Sequence, residues 1–133
     1  EGGPDDKFDI TGAFDLIHDL PHPQEGINAI KNSLKPGGIF LLMDIKCTED
    51  PIDNNDPMAL FKFGASLHFC MTTSLAYNGI GLGTVGLPLK KVEEYCFNAG
   101  FENVKEIDID HPINSLFQIS WSDNLSRRGR KFN

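Results

Sequence analysis

A chain of 133 residues, 40% of them hydrophobic and ten of them phenylalanine, holds one domain or part of one, with enough apolar mass for a core. Its formal net charge of −7 argues against nucleic acid as a partner, since phosphate binding needs a basic face. No apolar run reaches the roughly 18 residues of a membrane span and no signal-peptide pattern opens the chain, so no membrane partner is expected.

Residues 7–45, KFDITGAFDLIHDLPHPQEGINAIKNSLKPGGIFLLMDI, organise the chain and read as strand, polar loop, helix, turn, strand. Phe8, Ile10, Ala13 and Phe14 give a short apolar strand, followed by a loop over 15–23. Pro21 and Pro23 stand where a helix begins, because proline fits the first turn without losing a needed amide bond. Ile27, Ile30 and Leu34 recur at three and four, so one helical face can be buried. Lys31 and Lys35 suit the negative end of the helix dipole. Pro36-Gly37-Gly38 is expected to stop the helix and turn the chain. The continuous apolar run Ile39 to Met43 then predicts a parallel strand covered on both faces. Together these make one βαβ unit with a right-handed crossover.

Residues 46–57 form a polar, acidic connector. Asp56 is a candidate N-cap and Pro57 fits the first helical position. A helix over 58–77 follows, with Leu60, Phe63, Leu67, Cys70 and Met71 as its expected buried stripe. Residues 78–87, NGIGLGTVGL, contain Gly81, Gly83 and Gly86 at the dinucleotide-fingerprint spacing. The fingerprint needs an apolar strand running into its first glycine, and the tail of a helix stands there instead. A glycine-rich loop is the better reading, with a nicotinamide-dinucleotide-binding oxidoreductase fragment as an alternative. A helix over 88–98 should bury Leu89, Val92, Tyr95 and Cys96, with Gly100 as its C-cap. A strand carrying Val104, Ile107 and Ile109, a turn over 111–114 and a last strand over 115–121 complete the pattern, and 126–133 is a basic tail.

Cys47, Cys70 and Cys96 are odd in number and lack Cys-x-x-Cys or Cys/His ligand spacing, so neither a disulfide framework nor a metal site is expected. A reduced, cytoplasmic protein is the plain reading. His22, His68 and His111 show no ligand spacing either and read as surface or core residues. In sheets of this kind ligands sit at the carboxyl ends of the strands. Parallel neighbours lie about 4.8 Å apart, so His18, after the first strand, and Asp44, at the end of the second, can approach each other. A near-neutral imidazole can accept a proton from a hydroxyl, and a carboxylate can hold its tautomer. The competing reading has His18 anchoring the loop with Asp19 as a local partner.

The segments FDLIHDLPHP, LKPGGIFLLMD and AGFENVKEIDI resemble the second half of class I S-adenosylmethionine-dependent methyltransferases, and the resemblance extends through Phe117. His18-Asp19, followed by Pro21 and a helix, is similar to a segment of small-molecule O-methyltransferases in which the histidine is the catalytic base. The resemblance implies an α/β, Rossmann-like methyltransferase sheet, C-terminal half: two parallel strands with a crossover helix, a helical insertion, and an antiparallel strand pair. Residues 1–125 would be this partial domain, strands four to seven of the family fold, and 126–133 the tail. The cofactor glycines and ribose-binding acid would lie upstream, in a longer enzyme of which this chain is the truncated part, inactive alone. By the same resemblance Phe14 and Asp15 border the methionine part of S-adenosylmethionine, Asp44 matches an acid past the fifth strand, and Phe63, Leu67 and Met71 line the pocket of a small-molecule substrate. A non-catalytic methyltransferase-like interaction module is the alternative, and it predicts self-association through the exposed first strand.

Overall fold

The computed structural model describes residues 7–122. Four strands form one sheet: β1 (Phe8–Phe14), β2 (Leu34–Ile45), β3 (Asn103–Ile107) and β4 (Asn114–Ser120), in the order β1-β2-β4-β3. β1 and β2 are parallel, and β4 runs antiparallel to both β2 and β3. The helices are α1 (Pro23–Ser33), α2 (Ala59–Ala65), α3 (Met71–Ala76) and α4 (Leu89–Asn98), with a π-helical turn over Ser66–Cys70 joining α2 to α3. This is the expected mixed architecture. Among the described residues no helix is long and apolar enough to cross a membrane, and the basic tail over 126–133 lies outside them.

Local chemistry accounts for the element ends. Pro23 opens α1 at its first position, where a missing N–H costs nothing. Gly100, at φ +89°, closes α4: its amide bonds the Phe97 carbonyl while the Phe101 amide bonds that of Cys96. One expectation needs correcting at Pro36-Gly37-Gly38. The helix already ends at Ser33, and strand pairing starts at Leu34, opposite Phe8. The ladder resumes only at Ile10 opposite Ile39, so Lys35 to Gly38 bulge out against the single residue Asp9. The turn is therefore a bulge within β2, with Gly37 at φ +78°.

The core lies on one face of the sheet. Cross-strand pairs put Ala13, Phe40, Leu42, Phe117 and Ile119 on it, beneath Ile27 of α1 and Val92 and Cys96 of α4. Phe101 stacks on Phe40 and meets Trp121 edge-on, and Lys31 of α1 caps the Trp121 ring at 3.4 Å from its centroid. The opposite face differs from expectation. Ile10 pairs with Ile39 and Phe14 with Met43, yet Ile10 and Phe14 are 59% and 58% exposed and the β2 partners only half-buried. β2 is thus covered fully on one face rather than on both.

The stripe expected along 58–77 is also corrected. Of the expected stripe Cys70 is buried, but Leu60 is 86% exposed and Leu67 is exposed too, and the positions buried with Cys70 are Ala59, Lys62, Ser66 and Ser74. These positions still recur at three and four, but the buried face is small and polar because it packs on backbone. Ser66 Oγ accepts from the Thr84 amide at 3.1 Å and Ser74 Oγ from the Gly81 amide at 3.2 Å. Lys62 Nζ donates to the Lys46 carbonyl and to Asp56. The loop donors could not be left unpaired in this interior. Gly83, at φ +75°, has no room for a side chain, since a Cβ there would stand 2.1 Å from Ser66 Oγ. The wider π turn absorbs the angular drift that repeated steps of four accumulate on an α-helix.

Candidate active site

The site grows from the carboxyl ends of β1 and β2. The Asp15 amide donates to the Met43 carbonyl at 2.9 Å, continuing the ladder one residue beyond β1. Asp15 itself adopts the left-handed conformation, φ +48°, which an aspartate tolerates better than most residues. Its carboxylate accepts from Asn114 Nδ2 at 2.5 Å, so β4 pins the exit from β1. A single 3₁₀ turn, Ile17–Asp19, follows. Ile17 is fully buried and anchors the turn, which carries His18 inward.

There His18 meets Asp44. Nδ1 lies 2.5 Å from Asp44 Oδ1, with the side chains 5% and 1% exposed. Asp44 Oδ1 also accepts from the Ile45 amide, while Oδ2 is buried without a hydrogen-bond partner. The carboxylate accepts from Nδ1–H, which leaves Nε2 as the chemically free nitrogen. Nε2 stands 3.3 Å from Asp19 Oδ1. Burial works against the charged ring, but the Asp44 hydrogen bond and the charges of Asp44, Asp19 and Asp15 outweigh it, and the His18 pKa is raised above its ordinary 6.5. The dyad can thus take up a proton at Nε2 and hold the resulting cation.

The other residues singled out in the sequence fall in different places. Phe14 and Asp15 sit at the β1 exit, Phe14 exposed. Phe63 and Met71 are half-buried on the α2–α3 segment, Met71 against the glycine loop, and Leu67 turns to solvent. The structure therefore gathers His18, Asp44 and Asp15, whereas Leu67 of the expected substrate lining is exposed. His22, His68 and His111 are exposed; His111 Nδ1 accepts from the Ile113 and Asn114 amides and so holds its turn. Gly81, Gly83 and Gly86 lie on the loop between α3 and α4 with no strand leading into them. Beside the end of β2 lies a cavity of about 500 Å³, lined by residues including Lys46, Cys47, Asn54 and Lys62. Burial pushes the Cys47 thiol up to about 11 and that of Cys96 up to about 12, so neither is a nucleophile near neutral pH. Asn114 was not visible as a site residue. Asn114 is 99 positions from its partner Asp15, a separation no local pattern reports.

No family model matches the chain, and no curated protein does. Solved structures do. An O-methyltransferase family protein from Burkholderia thailandensis superposes with a TM-score of 0.62 at 20% identity, over 91% of this chain and 32% of its own. A structure described as a putative O-methyltransferase from Nostoc punctiforme gives 0.62 at 17%, over 86% and 32%. The fold is methyltransferase-like. A LepI variant in complex with SAH and a substrate analogue aligns with a TM-score of 0.59 at 14% identity, over 90% of this chain and 28% of its own. The chain spans about a third of the length of the structures it matches.

Proposed function

We propose that the chain belongs to a protein that moves a methyl group from S-adenosylmethionine to a hydroxyl of a small molecule, with His18 as general base. The observation that carries this reading is the buried His18–Asp44 pair at the carboxyl ends of two parallel strands, where doubly wound sheets hold their ligands. Asp44 fixes the imidazole tautomer, so Nε2 takes the acceptor's proton as the methyl arrives. Phe14 and Asp15, at the exit of β1, are the residues of this chain proposed to border the donor. The matched methyltransferases are about three times longer, and the activity is proposed for a protein with that additional length rather than for residues 1–133 alone. A cytoplasmic location is part of the same proposal.

The test is kcat for a phenolic acceptor panel with the full protein and its His18→Ala variant. A positioned base contributes roughly 10²- to 10⁴-fold, so a loss in that range is expected. A variant that keeps the wild-type kcat, with donor binding intact by calorimetry, would show that proximity alone drives transfer and that His18 is structural. A second reading is favoured by one observation: among the described residues β1 has no strand on its outer side, and its Phe8, Ile10 and Phe14 are exposed. Such an edge and face suit a non-catalytic module that pairs with another chain. A monodisperse monomer by light scattering would count against it.

A further inference from the structure

The linear spacing of cysteines and histidines gives no sign of a metal site, yet the fold gathers three donors of metal-binding type. One imidazole nitrogen of His18, one carboxylate oxygen of Asp19 and the Cys70 sulfur all lie within 4.8 Å of one another. His18 Nδ1 is committed to Asp44, which leaves Nε2 as the donor, 3.3 Å from Asp19 Oδ1. Two ligands each about 2.0 Å from a tetrahedral ion stand roughly 3.3 Å apart. That Asp19 oxygen is buried and has no hydrogen-bond partner, although its carboxylate belongs to a side chain 39% exposed, which gives an ion a way in.

The groups behind the donors are arranged for the same purpose. Histidines that bind metal give their other ring N–H to a carboxylate, which fixes the ring and raises its basicity; Asp44 stands in that position. The Thr84 hydroxyl donates to Cys70 Sγ at 3.1 Å, which favours a thiolate, whereas burial and the facing Asp19 carboxylate hold the metal-free thiol above its ordinary pKa, a penalty that a cation between them would offset. Cys70 closes the π-helical turn, a local distortion common at functional sites. A nitrogen, a sulfur and a single carboxylate oxygen do not suit calcium or magnesium, which take oxygen ligands. They suit zinc.

We propose that His18, Asp19 and Cys70 bind a zinc-class divalent ion, with a fourth position left open to water or ligand. On binding, the protons of Cys70 Sγ and, where the ring is charged, His18 Nε2 pass to solvent. The consequence for catalysis rests on the methyl-transfer reading: the ion occupies the lone pair that the base needs, so the loaded protein transfers no methyl group.

Cobalt(II) reports such a site without any donor or acceptor, so its outcome is separate from that of the methyl-transfer reading. Titrated into the reduced 133-residue chain, it should produce a sulfur-to-cobalt charge-transfer band that saturates at one equivalent and disappears when zinc is added. Cys70→Ser should abolish the band and Cys47→Ser should leave it. Asp44→Asn should weaken cobalt binding roughly 10- to 100-fold, as loss of the group behind a ligating histidine does. Asp19→Asn should weaken it at least roughly tenfold in a chain whose far-ultraviolet circular dichroism is unchanged. No band at one equivalent overturns the proposal, as does a band that survives Cys70→Ser. If Cys70→Ser does not fold, unchanged affinity in Asp19→Asn overturns it equally.

Discussion

Replacing Asp44 by Asn keeps the side chain's volume and its acceptor oxygen but removes the charge facing His18. The pair is buried, with Nδ1 and Oδ1 2.5 Å apart, and a hydrogen bond to a charged group contributes about 1.5–3 kcal/mol. A loss of about 2 kcal/mol is expected, and its pH dependence identifies its source. The His18 pKa is raised in the folded chain. The stability it contributes is therefore fully present below the unfolded value of 6.5 and is lost as pH rises through the folded value. The gap between wild type and Asp44→Asn should be widest near pH 6 and shrink toward pH 9. At roughly 3–5 °C per kcal/mol for a chain of this size, the melting temperatures should differ by roughly 6–10 °C near pH 6. Circular dichroism melts at both pH values, with EDTA present to keep metal away, would measure this. A gap that is constant, or that widens at high pH, would refute the charge-pair reasoning.

Gly83→Ala forces an alanine into φ +75° with its Cβ 2.1 Å from Ser66 Oγ. It should cost about 1–3 kcal/mol in urea unfolding, and added nicotinamide cofactor should not change that figure. Leu60→Ala should shift stability by no more than about 0.5 kcal/mol, because Leu60 is exposed, whereas Leu42→Ala should cost about 2–5 kcal/mol because Leu42 is fully buried. Equal losses at the two positions would mean that the α2–α3 segment buries its apolar side after all.

The βαβ unit was legible because its signals are local: alternating apolar residues in β1, prolines before α1, and an unbroken run in β2. The approach of His18 to Asp44 was legible as well, since strand direction alone puts both at the same end of the sheet. What was missed depends on tertiary pairing. Leu34 is an apolar residue at helical spacing from Ile27 and Ile30, but it pairs with Phe8 and starts β2. The stripe through Leu60 and Leu67 has correct helical periodicity, yet the face that packs is set by loop amides seeking Ser66 and Ser74. Periodicity says that a helix has sides without saying which side a glycine-rich loop will choose. Cys70 and Thr84 were invisible for the same reason, because their neighbours arrive from the loop after β1 and from the glycine loop.

The position of β4 between β2 and β3 sets the order in which the molecule can assemble. β1, α1 and β2 can close within about forty residues of chain. β2, however, meets its second partner through pairs such as Ile45 with Asn114 and Ile39 with Ser120, and closing loops of that span is slow. β3 leaves the ribosome before β4 does, and its ladder in the sheet is with β4. During synthesis β2 therefore stays an open edge until residue 120 has emerged, and a nascent chain halted in the turn over 111–113 presents an unpaired, apolar strand to its neighbours.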